Sequence, residues 1–222
     1  MKKFGIITLF GALLLANAET QSVNLPNYFV DSDSNIYMLY PMATYPRPVL
    51  LYLDCRGAQL EDLDTALAVY DSLGWNVVVC GKSRNHRDPR LNESDIINLV
   101  RNLRYFPQID TNRIVLFGFS GQGAQAWGTG LRYPRFFAGI ITECAHTGLI
   151  YSPDVVHAGH LHFIIITRED DWNRDFNEMM YEALRDVGID AHIIITPGEH
   201  HIGDSSELYN ACKLMDSLLE NQ

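Results

Sequence analysis

Ser120 lies in the run Arg113-Ile-Val-Leu-Phe-Gly-Phe-Ser-Gly-Gln-Gly123. Ile114 to Phe117 are four consecutive apolar residues and read as a buried strand; from Ala124 the composition is helical. A serine at such a corner sits on a strained turn, at a sheet edge and in the field of a helix N-terminus. That is how a weak hydroxyl is presented to a substrate and to a neighbouring histidine. The plainer reading is a strand-to-helix turn with a serine N-cap. A nucleophilic serine also needs a base and an acid that orients it. Two later segments supply them at strand ends. His162-Phe-Ile-Ile-Ile-Thr167 runs into Arg168-Glu-Asp-Asp171, and Ala191-His-Ile-Ile-Ile-Thr196 runs into Pro197-Gly-Glu-His-His-Ile202. The acid could be Asp170, Asp171 or Glu169, and the base His201 or His200.

The elements that must position these groups alternate along the chain. Short strands are expected at Tyr28–Val30 and Ile36–Tyr40, joined by the turn-rich 31–35 stretch. Val49–Leu53 is nearly continuous in apolar residues, as in a sheet covered on both faces. A helix from Glu61 to Leu73 ends at Gly74, and Trp75–Cys80 is the next strand. A polar loop, 81–91, precedes a helix capped by Asn92 or Ser94 and running through Phe106. After the serine, a helix reaches about Tyr133. Strands follow at Phe137–Thr142, Leu161–Thr167 and Ala191–Thr196, with helices at Trp172–Val187 and Ser206–Leu219. Apolar strands joined by helices over short connections predict a single α/β domain. Its sheet is mostly parallel, with helices on both faces and right-handed crossovers. Sites in such sheets form beyond the carboxyl ends of the strands, where Ser120 and both later segments fall. No large cap domain is expected.

The Gly118-Phe-Ser-Gly121 turn resembles the nucleophile elbow of the α/β-hydrolases, G-x-S-x-G, with Gln122 in place of the last glycine and Gly123 one position later. A Cβ at Gln122 should open the turn slightly or shift the helix. In that family the acid follows the serine and the histidine follows the acid. The segments at 167–170 and 197–201 resemble the esterase patterns G-x-x-D and P-G-x-x-H, with Thr167 in the place of the first glycine. The resemblance therefore implies Asp170 as acid and His201 as base. The nearest alternatives are Asp171 and His200. The oxyanion hole implied is the N–H of Gly121 together with a donor after Leu53. There Asp54-Cys-Arg-Gly57 replaces the usual H-G-x-G, so Cys55 would donate its N–H, with an awkward carboxylate beside it at Asp54. The entry Ile109-Asp-x-x-Arg113 and the exit Tyr133-Pro-x-x-Phe-Ala138 resemble the esterase and depolymerase branch. The resemblance implies ester hydrolysis through an acyl-enzyme on Ser120, on small or polymer-linked esters, with no metal or organic cofactor.

Composition bounds the rest. The chain has 222 residues, 47% apolar and 20% charged, ordinary for one globular domain. Its formal charge of −10 argues against nucleic acid and anionic membranes as partners. Lys2 and Lys3, the apolar run Phe4–Leu15 and Ala16-Asn-Ala18 read as a signal peptide, residues 1–18, cut after Ala18. The hydrolase domain is then residues 19–222, secreted or periplasmic. Cys55, Cys80, Cys144 and Cys212 show no metal-site spacing and are expected to be buried free thiols. His160-x-His162 could offer two imidazoles to zinc, but a polar strand start is the simpler reading. Arg84, His86, Arg87 and Arg90 make a basic loop that could meet an anionic substrate group or simply be solvated. Trp172 could line an acyl pocket, and His146 could face the site. Two readings compete with the esterase. One is a serine peptidase or amidase of the prolyl-oligopeptidase kind. The other is a hydrolase-fold protein that has lost catalysis and binds a ligand.

Overall fold

The computed structural model describes residues 27–30, 32, 35–39, 45–146 and 158–220. The expected signal peptide, residues 1–18, lies outside the described residues. Within them one sheet carries β1 (Asn27–Val30), β2 (Ile36–Leu39), β3 (Arg47–Leu53), β4 (Asn76–Val79), β5 (Ile109–Phe119), β6 (Gly139–Glu143), β7 (His162–Arg168) and β8 (Asp190–Thr196). Their spatial order is β1-β2-β4-β3-β5-β6-β7-β8. The six strands from β4 to β8 run parallel, while β2 pairs antiparallel with both β1 and β4. The helices are α1 (Leu63–Ala68), α2 (Pro89–Leu103), α3 (Ser120–Arg132), α4 (Arg174–Asp186) and α5 (Ser205–Glu220).

The strands are apolar on both faces because both faces are covered. In β3, Val49, Leu51 and Leu53 pack under α2, α3 and α4, while Leu50 and Tyr52 pack under α1 and α5. β5 and β7 divide the same way: Leu116 and Ile165 face one layer, Phe117 and Ile164 the other. The period of two that places side chains on alternate faces thus builds two cores on one sheet. Each fully buried Leu or Ile contributes about 1.5–3 kcal/mol.

The helix before β5 starts earlier than its apolar spacing suggests. Asp88 accepts a hydrogen bond from the Arg90 N–H at 2.9 Å and Pro89 occupies the first helical position, so α2 begins at Pro89 rather than at Asn92 or Ser94. All four cysteines are free thiols, with Cys80, Cys144 and Cys212 buried. No helix among the described residues is long and apolar enough to cross a membrane.

Candidate active site

β5 is the central delivery strand. Its last residue, Phe119, passes directly into Ser120, the first residue of α3. Ser120 has φ 51°, left-handed for a residue with a side chain, a conformation that costs on the order of 1–2 kcal/mol. Packing holds it there. A Cβ on Gly118 would strike the Gln122 carbonyl, and one on Gly123 would come 2.7 Å from the Ala145 Cβ. Gly123 therefore supplies the close approach that the elbow pattern assigns to the preceding position. Gln122 turns its side chain into the loop after β4. There its Oε1 accepts from the Ser83 hydroxyl at 2.6 Å and its Nε2 donates to Asn85 Oδ1 at 3.3 Å.

The Ser120 hydroxyl lies 2.9 Å from His200 Nε2, and His200 Nδ1 lies 2.7 Å from Asp171 Oδ1. Asp171 is buried, yet its carboxyl is held below the usual carboxylate range. Burial alone would raise it, but the Asn173 N–H, the His200 ring and the Cys144 thiol all donate to it. Thr167 Oγ1 donates to its other oxygen at 3.1 Å. An ionised Asp171 can only accept, so the Nδ1 of His200 carries the proton. Nε2 is left to accept from Ser120. Phe119 and Trp172 flank the imidazole, with ring centroids at 5.0 and 3.8 Å. Trp172 stacks on it almost parallel while leaving its other face in solvent.

The structure does not bring the expected Asp170 and His201 to Ser120; it brings their neighbours. Asp170 is exposed, and its N–H donates to the Gly198 carbonyl at 2.9 Å. The exposed His201 keeps its ring Nδ1 2.7 Å from the Glu199 carbonyl. The turn after β7 explains the first shift: the Asp171 N–H reaches back to the Arg168 carbonyl, which folds Asp171 inward over the strand end. Gly198 explains the second. Its φ of 118° is open only to glycine, and the sharp turn it makes sends His200 inward and His201 outward.

The expected oxyanion donors are Gly121 and Cys55. Asp54 is turned onto its own loop, accepting from the Arg56 N–H at 2.8 Å. Cys55 contributes its sulfur to this corner. The thiol donates to the Phe119 carbonyl at 3.3 Å. Burial pushes its pKa up, while the N–H groups of Gln122 and Gly121 and the Asn85 side chain pull it back. Asn85 was not singled out by the sequence. Its carboxamide lies where a Cβ on Gly121 would be, and only its place in the polar 81–91 loop hinted at it.

Arg168 is the other residue without a sequence signal. Fully buried, it bonds Glu143 at the end of β6, Thr196 at the end of β8 at 2.8 Å, and Glu207 on α5 at 2.6 Å. It also donates to the His201 carbonyl at 3.3 Å, next to His200 in the chain. Burial raises Glu143 to about 7, with Glu207 competing for the same guanidinium and Arg168 and the Gly203 N–H pulling it down.

Cys144, Asp171 and His200 have donor atoms within 4.8 Å of one another. Burial pushes the Cys144 thiol far up, which keeps it a thiol, whereas a metal needs the thiolate. His200 and Asp171 already satisfy each other. The set fits a proton relay better than a metal site. His160 and His162 go separate ways, to the Pro134 carbonyl at 3.0 Å and to Asp190 at 2.7 Å.

No family model and no curated protein matches the chain in sequence. Solved structures match it in fold. A ferulic acid esterase is similar with TM-score 0.66 at 15% identity, over 86% of this chain and 96% of its own. The hyperthermophilic esterase of the archaeon Pyrobaculum calidifontis is similar with TM-score 0.69 at 13% identity, over 83% and 79%. A thermostable esterase matches with TM-score 0.66 at 18% identity, over 88% of this chain and 62% of its own. The fold is that of the α/β-hydrolases, with the mostly parallel sheet covered on both faces.

Proposed function

We propose that the protein is a serine hydrolase that cleaves carboxylic esters through an acyl-enzyme on Ser120. The observation that carries this is the unbroken relay from the Ser120 hydroxyl through His200 to Asp171, with contacts of 2.9 and 2.7 Å. Ser120 Oγ attacks the ester carbonyl carbon as His200 Nε2 takes the hydroxyl proton. Asp171 stabilises the imidazolium that forms. The tetrahedral oxygen is received by the Gly121 N–H, at the positive end of α3. His200 returns its proton to the departing alkoxide, and the alcohol leaves. Water then attacks the acyl carbon, giving its proton to His200. The acid departs as that proton goes back to Ser120.

One feature favours a second reading, a hydrolase-fold protein that binds without turnover: the Cys55 sulfur is packed into the Ser120 turn, donating to the Phe119 carbonyl at 3.3 Å, close to the expected oxyanion donors. Labelling with a fluorophosphonate and mapping the adduct by mass spectrometry decides between them. A single adduct on Ser120 is expected, lost in His200→Ala and retained in His201→Ala. Folded protein that takes no adduct would sink the hydrolase reading in favour of binding. Loss of labelling in His201→Ala alone would return the base to that residue.

A further inference from the structure

Gly121, the residue after the nucleophile, forms one edge of a cavity of about 290 Å³. The loop between β4 and α2 lines it as well, as does His146, just past β6. The chain as a whole is at −10, yet Arg84, His86, Arg87 and His146 line this cavity and, among the described residues, no carboxylate does. Arg87 is committed to the wall itself. It donates to Asp95 at 2.6 Å and to Asn92 Oδ1 at 2.8 Å. Arg84 differs. Its main chain is fixed, with its N–H on Asn92 Oδ1 at 3.3 Å and its carbonyl accepting from Asn92 Nδ2 at 2.8 Å. Its side chain is exposed and makes no ion pair among the described residues. A loop fastened by Asn92 thus holds one uncommitted guanidinium at a cavity whose lining includes the residue after Ser120. The Gly121–Gln122 end of α3 adds its dipole to the same field.

We propose that this cavity receives an anionic group of the substrate, so that the esters cleaved carry a carboxylate that pairs with Arg84. The proposal rests on the hydrolase reading above. A guanidinium grips a carboxylate with two parallel N–H bonds, which fixes position as well as charge. At ~30 Å³ for each water-sized group, the space holds about ten non-hydrogen atoms, a short dicarboxylic half-ester rather than a long acyl chain. The guanidinium and imidazole groups on its lining give an anionic group its partners.

Two pairs of esters test it on the purified protein. Mono-4-nitrophenyl glutarate against 4-nitrophenyl valerate places the carboxylate on the acyl side. 4-Acetoxybenzoate against phenyl acetate places it on the alcohol side. The anionic member of one pair should have the higher kcat/KM. Arg84→Gln should lower that anionic-to-neutral ratio about tenfold, and Arg84→Glu should lower it further. Turnover with no anionic preference in either pair, or a ratio unmoved by both variants, overturns the proposal and leaves the hydrolase reading intact. Glutarate binding to Ser120→Ala protein, measured by calorimetry, reads the cavity without turnover. Binding that is weakened about tenfold by Arg84→Gln supports the anion site even if no ester is cleaved, and an absence of binding overturns it.

Discussion

His200 is gripped by its edge and by its faces. Asp171 takes one nitrogen, Ser120 the other, and Phe119 and Trp172 cover the ring. Trp172 is the member that solvent can pull away, since it is 72% exposed and touches the imidazole by stacking. Removing it should leave the relay assembled but looser. Trp172→Ala is expected to lower kcat about tenfold with little change in stability, and Trp172→Phe to recover most of the loss; steady-state kinetics and a thermal melt check both. A kcat unchanged in Trp172→Ala would mean that hydrogen bonds alone hold the ring. At this scale the sequence was readable to within one residue. Both segments are legible because each follows an apolar strand. Their side-chain directions are not, because a turn rather than the strand's alternation sets which of two adjacent residues faces inward.

The ends of β6, β7 and β8 behave as one element. Arg168 reaches from the middle strand to Glu143 and Thr196 on either side, and to Glu207 on α5. Its bond to the His201 carbonyl ties the loop bearing His200 to the same cluster. Glu143 makes this cluster sensitive to pH. Its folded pKa of about 7 lies above the ordinary 4.5. A raised carboxyl binds its proton more tightly in the folded state, so its contribution is complete below 4.5 and fades as pH rises through about 7. Urea unfolding of the parent between pH 4.5 and 8 should show this loss, and Glu143→Gln should remove that part of the slope. Parallel pH profiles for the two proteins would refute it. Asp171 works the opposite way. Its lowered pKa stabilises the fold above its ordinary range, and that stability is lost only as pH falls through the lower value, outside the Glu143 window. None of this network is visible in the sequence, because Arg168, Glu143 and Glu207 are 25 and 39 residues apart and meet only through strand order.

Across the whole molecule the sheet separates two cores, one beneath α2, α3 and α4 and one beneath α1 and α5. The second lies away from the nucleophile's helix. Met215, fully buried there, is a clean probe of fold without chemistry. Met215→Ala should cost about 2–5 kcal/mol in urea unfolding while the activity of each folded molecule is kept. Loss of activity in the folded variant would show that the two faces are coupled. The architecture was readable because strands apolar on both faces leave a continuous signature. The start of α2 was not, because Asp88 and Pro89 mark it by capping rather than by periodicity.

The connection between β6 and β7 is fastened at its first end by side chains from β7 and α4. Asn173 and Asn177 hold the carbonyls of Cys144 and Ala145 at 2.9 Å each, and Arg168 ties Glu143 directly to β7. The residues that follow β6 thus take their place from Asn173 and Asn177, at the start of α4. A lineage that keeps those two carboxamides keeps that corner of the site in register.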